Sequence, residues 1–322
     1  MAELVFCKNS IVVVLLVNDK NSQILMKMRE FREKKVVLYK ISAYMRWFSI
    51  LSVWLCFTIA VNDVSAQTYE NYADSVDRYT GERNWHKAEE MLMKALEKEP
   101  ANPSNFILLS NLGTVHRNMG KLKEALADYD NALSITPNAV AIIHNRAALL
   151  LEMDSTKRAY SDYARIKVLD KSDIDSRYYH GMIALGYGYF DIAQADFEEA
   201  LAIDKNSLDA KRGFAILYKV KNDYEKAASL YSEIIEKENR QSNYMGRAEC
   251  YLELGKLQEA ESDLQEAQKL NPSDPDIYML KAKLAELQYR YDDAAGYAEE
   301  AVALGADSRL VEQYLKKKSK DK

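Results

Sequence analysis

The chain has 322 residues, 48% hydrophobic and 29% charged, with only 11 glycines, 5 prolines and 3 cysteines, and a formal net charge of −5. That composition describes a helix-rich soluble protein, and its acidic balance argues against a nucleic-acid binder, which needs a basic track for phosphates. Length divided by a usual domain size gives two domains, an estimate that a chain growing by repetition escapes.

In chain order, residues 1–44 hold a short apolar run, 11–17, too short to span a membrane, and a basic stretch, 29–40. They have no repeat character and no predicted fold. Arg46 then precedes fifteen uncharged residues, Trp47 to Val61, followed by Asn62-Asp63 and Val64-Ser65-Ala66. A basic residue, an apolar core and small residues at the third and first places before a cut predict a secretory signal at 45–66, cleaved after Ala66. Met45 is the expected start, with 1–44 a start-site extension or leader. Starts at Met26 or Met28, and a cytoplasmic segment ahead of an uncleaved inner-membrane anchor, remain the alternatives. From Gln67 onward there are 35 basic and 44 acidic residues, a charge near −9, and Cys250 is the one remaining cysteine, so no internal disulfide is expected.

Beyond Gln67 the chain repeats. Ala88, Ala125, Ala159, Ala193, Ala227, Ala260 and Ala294 fall at intervals of 37, 34, 34, 34, 33 and 34 residues. Four residues after each stands Leu92, Tyr129, Tyr163, Phe197, Tyr231 or Leu264, with Ala298 the exception. Twelve residues before, a small residue recurs: Gly113, Ala147, Gly181, Ala215, Ala248 and Ala282, with Val76 in the first unit. A period near 34 predicts stacked helical hairpins, each too small to bury its own apolar stripe. Gly120 and Gly255 suit the left-handed residue that ends a first helix, and Pro100, Pro137 and Pro272 stop second helices. Trp85, Leu122, Phe190, Tyr224, Leu257 and Tyr291, three residues before the alanines, are expected to plug the hairpin turns.

This pattern resembles the tetratricopeptide repeat. The clearest unit carries Leu112-Gly113, Gly120-Lys121-Leu122-Lys123-Glu124-Ala125, Tyr129, Ala132 and Pro137, and Ala248, Tyr251, Gly255 to Ala260, Leu264, Ala267 and Pro272 repeat it. Units three, five and seven lack the closing proline, and Ile166 and Ile234 stand where alanine is usual. The resemblance implies an all-α, right-handed superhelical solenoid of about seven hairpins over 67–306. Its units lie near 69–105, 106–139, 140–173, 174–207, 208–240, 241–274 and 275–306, followed by a capping helix and basic tail at 307–322. Ser308 is the expected N-cap of that helix.

Residues with catalytic potential are scattered. His86, His116, His144 and His180 lie in four different units with no pair at the i, i+4 spacing of a helical metal site. Phosphate-binding glycine loops and nucleophile elbows are missing, so no enzyme, cofactor or metal is expected.

What remains is a surface. In the family that the repeats resemble, first helices line a concave face that binds peptides. Projected from the small-residue positions, that line holds Ile107, Arg117, His144, Leu151, Tyr178, Met182, Leu185, Arg212, Ile216, Met245, Leu252 and Met279. Either these form a partner groove, rich in adaptable methionine, or superhelical curvature buries them against each other. A clamp for acidic chaperone tails is not expected: Asn111 and Asn145 match, but Ser110, Thr114, Ala141 and Ala147 stand where bases or amides are needed or nearby. The resemblance and the signal together imply a protein-binding scaffold or assembly factor in a bacterial periplasm or envelope. Its partner is a protein or peptide, not nucleic acid or metal, and membrane contact arises only if the signal is uncleaved. The alternatives are an envelope module binding a small molecule or glycan, and a regulatory partner of an enzyme.

Overall fold

Each period-setting alanine is buried at a helix crossing, and so is the larger residue four places on, from Leu92 through Tyr129, Tyr163, Phe197 and Tyr231 to Leu264. Ala298, the exception in size, is equally buried. The computed structural model describes residues 71, 72 and 75–318; the signal-like segment and the end of the basic tail lie outside them. Among the described residues the regular structure is helical throughout, with no strand.

By contacts the chain divides into two units, 1–171 and 172–322. In the first unit, helical residues 75–81 precede α1 (Trp85–Lys98), α2 (Asn105–Asn118) pairs with α3 (Leu122–Ile135), and α4 (Val140–Glu152) pairs with α5 (Thr156–Leu169). In the second, α6 (Ile174–Gly186) pairs with α7 (Phe190–Ile203), α8 (Leu208–Val220) with α9 (Tyr224–Ile235), and α10 (Gln241–Glu253) with α11 (Leu257–Leu270). There too α12 (Pro275–Leu287) pairs with α13 (Tyr291–Ala303), and α14 (Ser308–Lys318) follows.

The hairpin turns share one backbone design. A left-handed residue follows each first helix: Gly120, Gly188 and Gly255 at φ 74°, 77° and 69°, but also Arg83, Asp154, Asn222 and Tyr289. The next amide reaches back five residues, as in Lys121 N–H to the His116 carbonyl at 2.9 Å and Tyr189 N–H to that of Ala184 at 2.8 Å. These bonds satisfy carbonyls that the helix end leaves open. Second helices α5, α7 and α9 end at Leu169, Ile203 and Ile235 without a proline, so the proline reinforces a stop that the tertiary packing already sets.

The last hairpin is covered by α14, whose Val311 and Tyr314 pack on Ala282, Ala285, Ala294, Ala298 and Ala301. Its N-cap is Asp307, not Ser308: the Asp307 carboxylate accepts from the Arg309 amide at 2.9 Å, and its carbonyl from the Leu310 amide at 2.9 Å.

Candidate partner-binding face

Within each unit first helices meet their counterparts in the next hairpin: α2 touches α4, α6 touches α8, and α10 touches α12. Ion pairs bridge them. Arg117 on α2 grips Glu152 on α4 through Nε at 2.9 Å and Nη2 at 2.5 Å, Lys219 on α8 pairs with Glu249 on α10, and Lys283 on α12 reaches Glu253 at 2.5 Å. This is the side where the projected partner line lies.

The structure sorts that line into three kinds of residue. Leu185 and Leu252 are buried and hold helices together, presenting little surface to a ligand. Arg117 and Arg212 are engaged internally; Arg212 donates to Asp209, to Glu238 at 2.6 Å and to Asn243 at 3.4 Å. The remainder are half-buried with one side open: Ile107, His144 and Leu151 in the first unit, and Tyr178, Met182, Ile216, Met245 and Met279 in the second.

In the second unit this line rests on an aromatic stack. The Tyr178 ring lies 5.2 Å from that of Tyr179 and 6.5 Å from Phe197, which in turn meets Phe214 at 5.6 Å. Burial raises the Tyr178 pKa, reinforced by the Asp209 charge and opposed by Arg212, so the phenol stays neutral in ordinary buffers. Glycines permit the stack: a Cβ at Gly181 would stand 2.7 Å, and one at Gly213 2.5 Å, from the Phe197 ring. In the first unit His144 meets Tyr163 edge-on at 5.8 Å.

Sequence reasoning missed a second recurring constellation. Three residues after the repeat alanine stand Asp128, Asp162, Asp196 and Asp263, and each pairs with a base on the preceding first helix. The base stands just before the small residue in three cases: Arg146 holds Asp162 at 2.8 and 2.6 Å, His180 Nδ1 lies 2.5 Å from Asp196, and Arg247 holds Asp263 at 2.8 and 2.7 Å. In the second hairpin His116 takes this role, its Nδ1 2.6 Å from Asp128 and its Nε2 2.9 Å from Glu89 on α1. Phe214 replaces the base in the fifth. In the seventh, Lys281 lies over Tyr278 and Tyr297 at 5.8 and 5.5 Å, and burial lowers its pKa. In three of the four pairs the signal was legible as a base and an aspartate sixteen residues apart; His116 and Asp128 stand twelve apart.

A histidine–aspartate pair does acid–base chemistry only where the second ring nitrogen can reach a reacting group. His116 has both nitrogens against carboxylates. Burial raises the pKa of its partner Asp128, against the lowering effect of the His116 hydrogen bond, while the Lys121 hydrogen bond leads in holding Glu89 below the usual range. These groups fasten helices. Among the described residues no cluster of three or more His, Cys, Asp or Glu side chains could hold a metal, and no helix is long and apolar enough to cross a membrane.

Comparison with known proteins agrees with this architecture. A tetratricopeptide repeat protein from Parabacteroides merdae ATCC 43184, known from its crystal structure, is 31% identical; the match covers 78% of this chain and 98% of that one, with a TM-score of 0.67. Family models described as tetratricopeptide repeat match residues 106–139 and 244–309. The chain therefore belongs to the tetratricopeptide repeat family. The hetero-tetramer Cut9-Hcn1 of APC/C shares the fold at 14% identity and a TM-score of 0.60, over 72% of this chain and 52% of that one. DnaJ homolog subfamily C member 3 of Gallus gallus is 28% identical over 194 residues, 54% of this chain and 37% of that protein. The chain thus spans little more than a third of the length of that curated relative. Repeats of this family serve in general as protein-interaction scaffolds.

Proposed function

We propose that this chain is a non-enzymatic scaffold or assembly factor of a bacterial cell envelope. It holds an extended or helical segment of a partner protein against the first helices of the second unit. One observation carries the reading: Tyr178, Met182, Ile216, Met245 and Met279 are half-buried and open on one side, on the helices that meet across successive hairpins. Fixed aromatic support beneath flexible thioethers suits a surface that adapts to a partner. A photo-cross-linking residue at Met182 or Met245 should trap a protein in envelope extract, and one at Glu198 on the outer side of α7 should not. Equal trapping at both sites, or none, would refute the groove.

The envelope location rests on the order of Arg46, the apolar run Trp47 to Val61, and Val64-Ser65-Ala66, all outside the described residues. Intact mass of the natural protein tests it: cleavage after Ala66 leaves 256 of the 322 residues, beginning at Gln67. A species retaining Trp47 to Val61 would indicate an anchored protein instead.

A further inference from the structure

On the first helices of the second unit the open apolar residues alternate with charges. Ile216 stands four residues after Arg212 and three before Lys219 on α8, Met245 four before Glu249 on α10, and Met279 four before Lys283 on α12. That spacing puts each charge one helical turn from an open apolar residue and on the same face, so a segment seated on the apolar line lies against the charges as well. α6, which supplies Tyr178 and Met182, has no Asp, Glu, Lys or Arg from Tyr178 to Gly186. Among the described residues each Lys and Arg of these four helices already has an internal partner. Arg212 donates to Asp209 and Glu238, Lys219 pairs with Glu249, and Lys283 with Glu253. Away from the line, Arg177 pairs with Glu199 at 3.1 Å, Lys211 with Glu233 at 2.7 Å and Arg247 with Asp263 at 2.7 Å, and Lys281 donates to Gln268. Lys219 with Glu249 joins α8 to α10, and Lys283 with Glu253 joins α12 to α10, so the charges beside the line neutralise one another from helix to helix.

We infer, on the reading that this line binds a protein, that the bound segment is uncharged: an apolar stretch of a partner without Asp, Glu, Lys or Arg among the side chains it buries here. A carboxylate brought to Lys219 must displace Glu249, which exchanges one ion pair for another and leaves Glu249 beside it without a cation. A basic side chain brought to Glu249 or Glu253 meets the lysine already there. Apolar side chains face no such competitor and gain by leaving water. The paired charges thus act by exclusion, and Tyr178, Met182, Ile216, Met245 and Met279 supply the affinity.

Selection of random peptides of about twelve residues, up to about 40 Å long when extended, on the immobilised full chain tests this. Peptides held on the line are those whose capture falls about tenfold or more with Tyr178→Ala and Met182→Ala at unchanged helical signal. They should be rich in apolar residues and depleted of Asp, Glu, Lys and Arg, and their affinity should change less than about twofold between about 0.05 and 0.5 M salt. Glu249→Gln uncovers Lys219, so acidic residues should then be enriched about threefold or more among the captured peptides. Acidic or basic peptides held on the line of the natural chain overturn the inference and leave the protein-binding face standing, as does a Glu249→Gln selection without acidic enrichment. Capture that never depends on Tyr178 and Met182, as when residues 47–61 or a second copy of the chain hold the line, overturns both.

Discussion

The ring of Phe197 on α7 lies so close to the backbone of Gly213 on α8 that a Cβ there would stand 2.5 Å from its Cε1. Two consecutive hairpins thus meet through an aromatic edge and a missing side chain. Gly213→Ala must displace the ring or separate the helices, and is expected to cost about 1–3 kcal/mol. Gly296, inside α13, has open space where a Cβ would go, so Gly296→Ala should instead gain about 1 kcal/mol of helix propensity. Thermal melting of the two variants should shift in opposite directions; a shared sign would contradict the packing described.

Tyr289 holds a left-handed backbone, φ 62°, with 80% of its surface exposed, at the place where three other turns use glycine. A side chain there is strained, so Tyr289→Gly should stabilise the chain by about 1 kcal/mol. Urea unfolding with an unchanged slope and a higher midpoint is the expected result, and a lower midpoint would show that the ring contributes more than the strain costs.

Arg247 and Asp263 form a two-pronged ion pair between α10 and α11, and the carboxylate is almost wholly buried. Removing one partner leaves the other charge without compensation, so Asp263→Ala should cost about 3 kcal/mol. Arg247→Met in the same chain should recover most of that loss. If the double variant melts no higher than the single one, the pair is not the source of the effect.

Burial pushes the Cys250 thiol up to about 11 from its ordinary value of 9.0. The folded state keeps its proton where the unfolded chain has lost it. The stability this provides is complete below pH 9 and is lost as pH rises toward 11, by roughly 2–3 kcal/mol at about 1.4 per unit. Cys250→Ala should melt with a shallower decline across that window. Peptide mapping after alkylation at about pH 8 should find Cys250 unmodified in the folded chain and modified in urea; rapid labelling without urea would contradict its burial.

Much of this was legible in the sequence because the repeat makes its own control. Small residues and aromatics at fixed offsets identified the helix crossings, and Gly113 and Gly181 do sit against the Tyr129 and Phe197 rings; Gly213, two residues before the expected Ala215, was not singled out. The N-cap at Asp307 was misread because Ser308 beside it is an equally good capping residue, and only the backbone geometry separates them. Leu185 and Leu252 look the same in projection as Met182 and Met245, since a few tens of degrees around a helix decide between core and surface. The buried base–aspartate pairs were overlooked because charged residues on helices are expected to face water. Their recurrence sixteen residues apart in three units was the available signal.

The central claim is that the open apolar line of the second unit binds a partner protein, and variants at Tyr178 and Met182 test it most directly. These residues lie one helical turn apart on α6, and each apolar side chain buried by a partner should contribute roughly 1.5–3 kcal/mol. With both replaced by Ala, recovery of the partner from envelope extract should fall about tenfold or more, while the melting temperature moves much less than that loss requires. If recovery declines only in step with melting across the two single variants and the double variant, the line is core, and the partner-groove account is wrong.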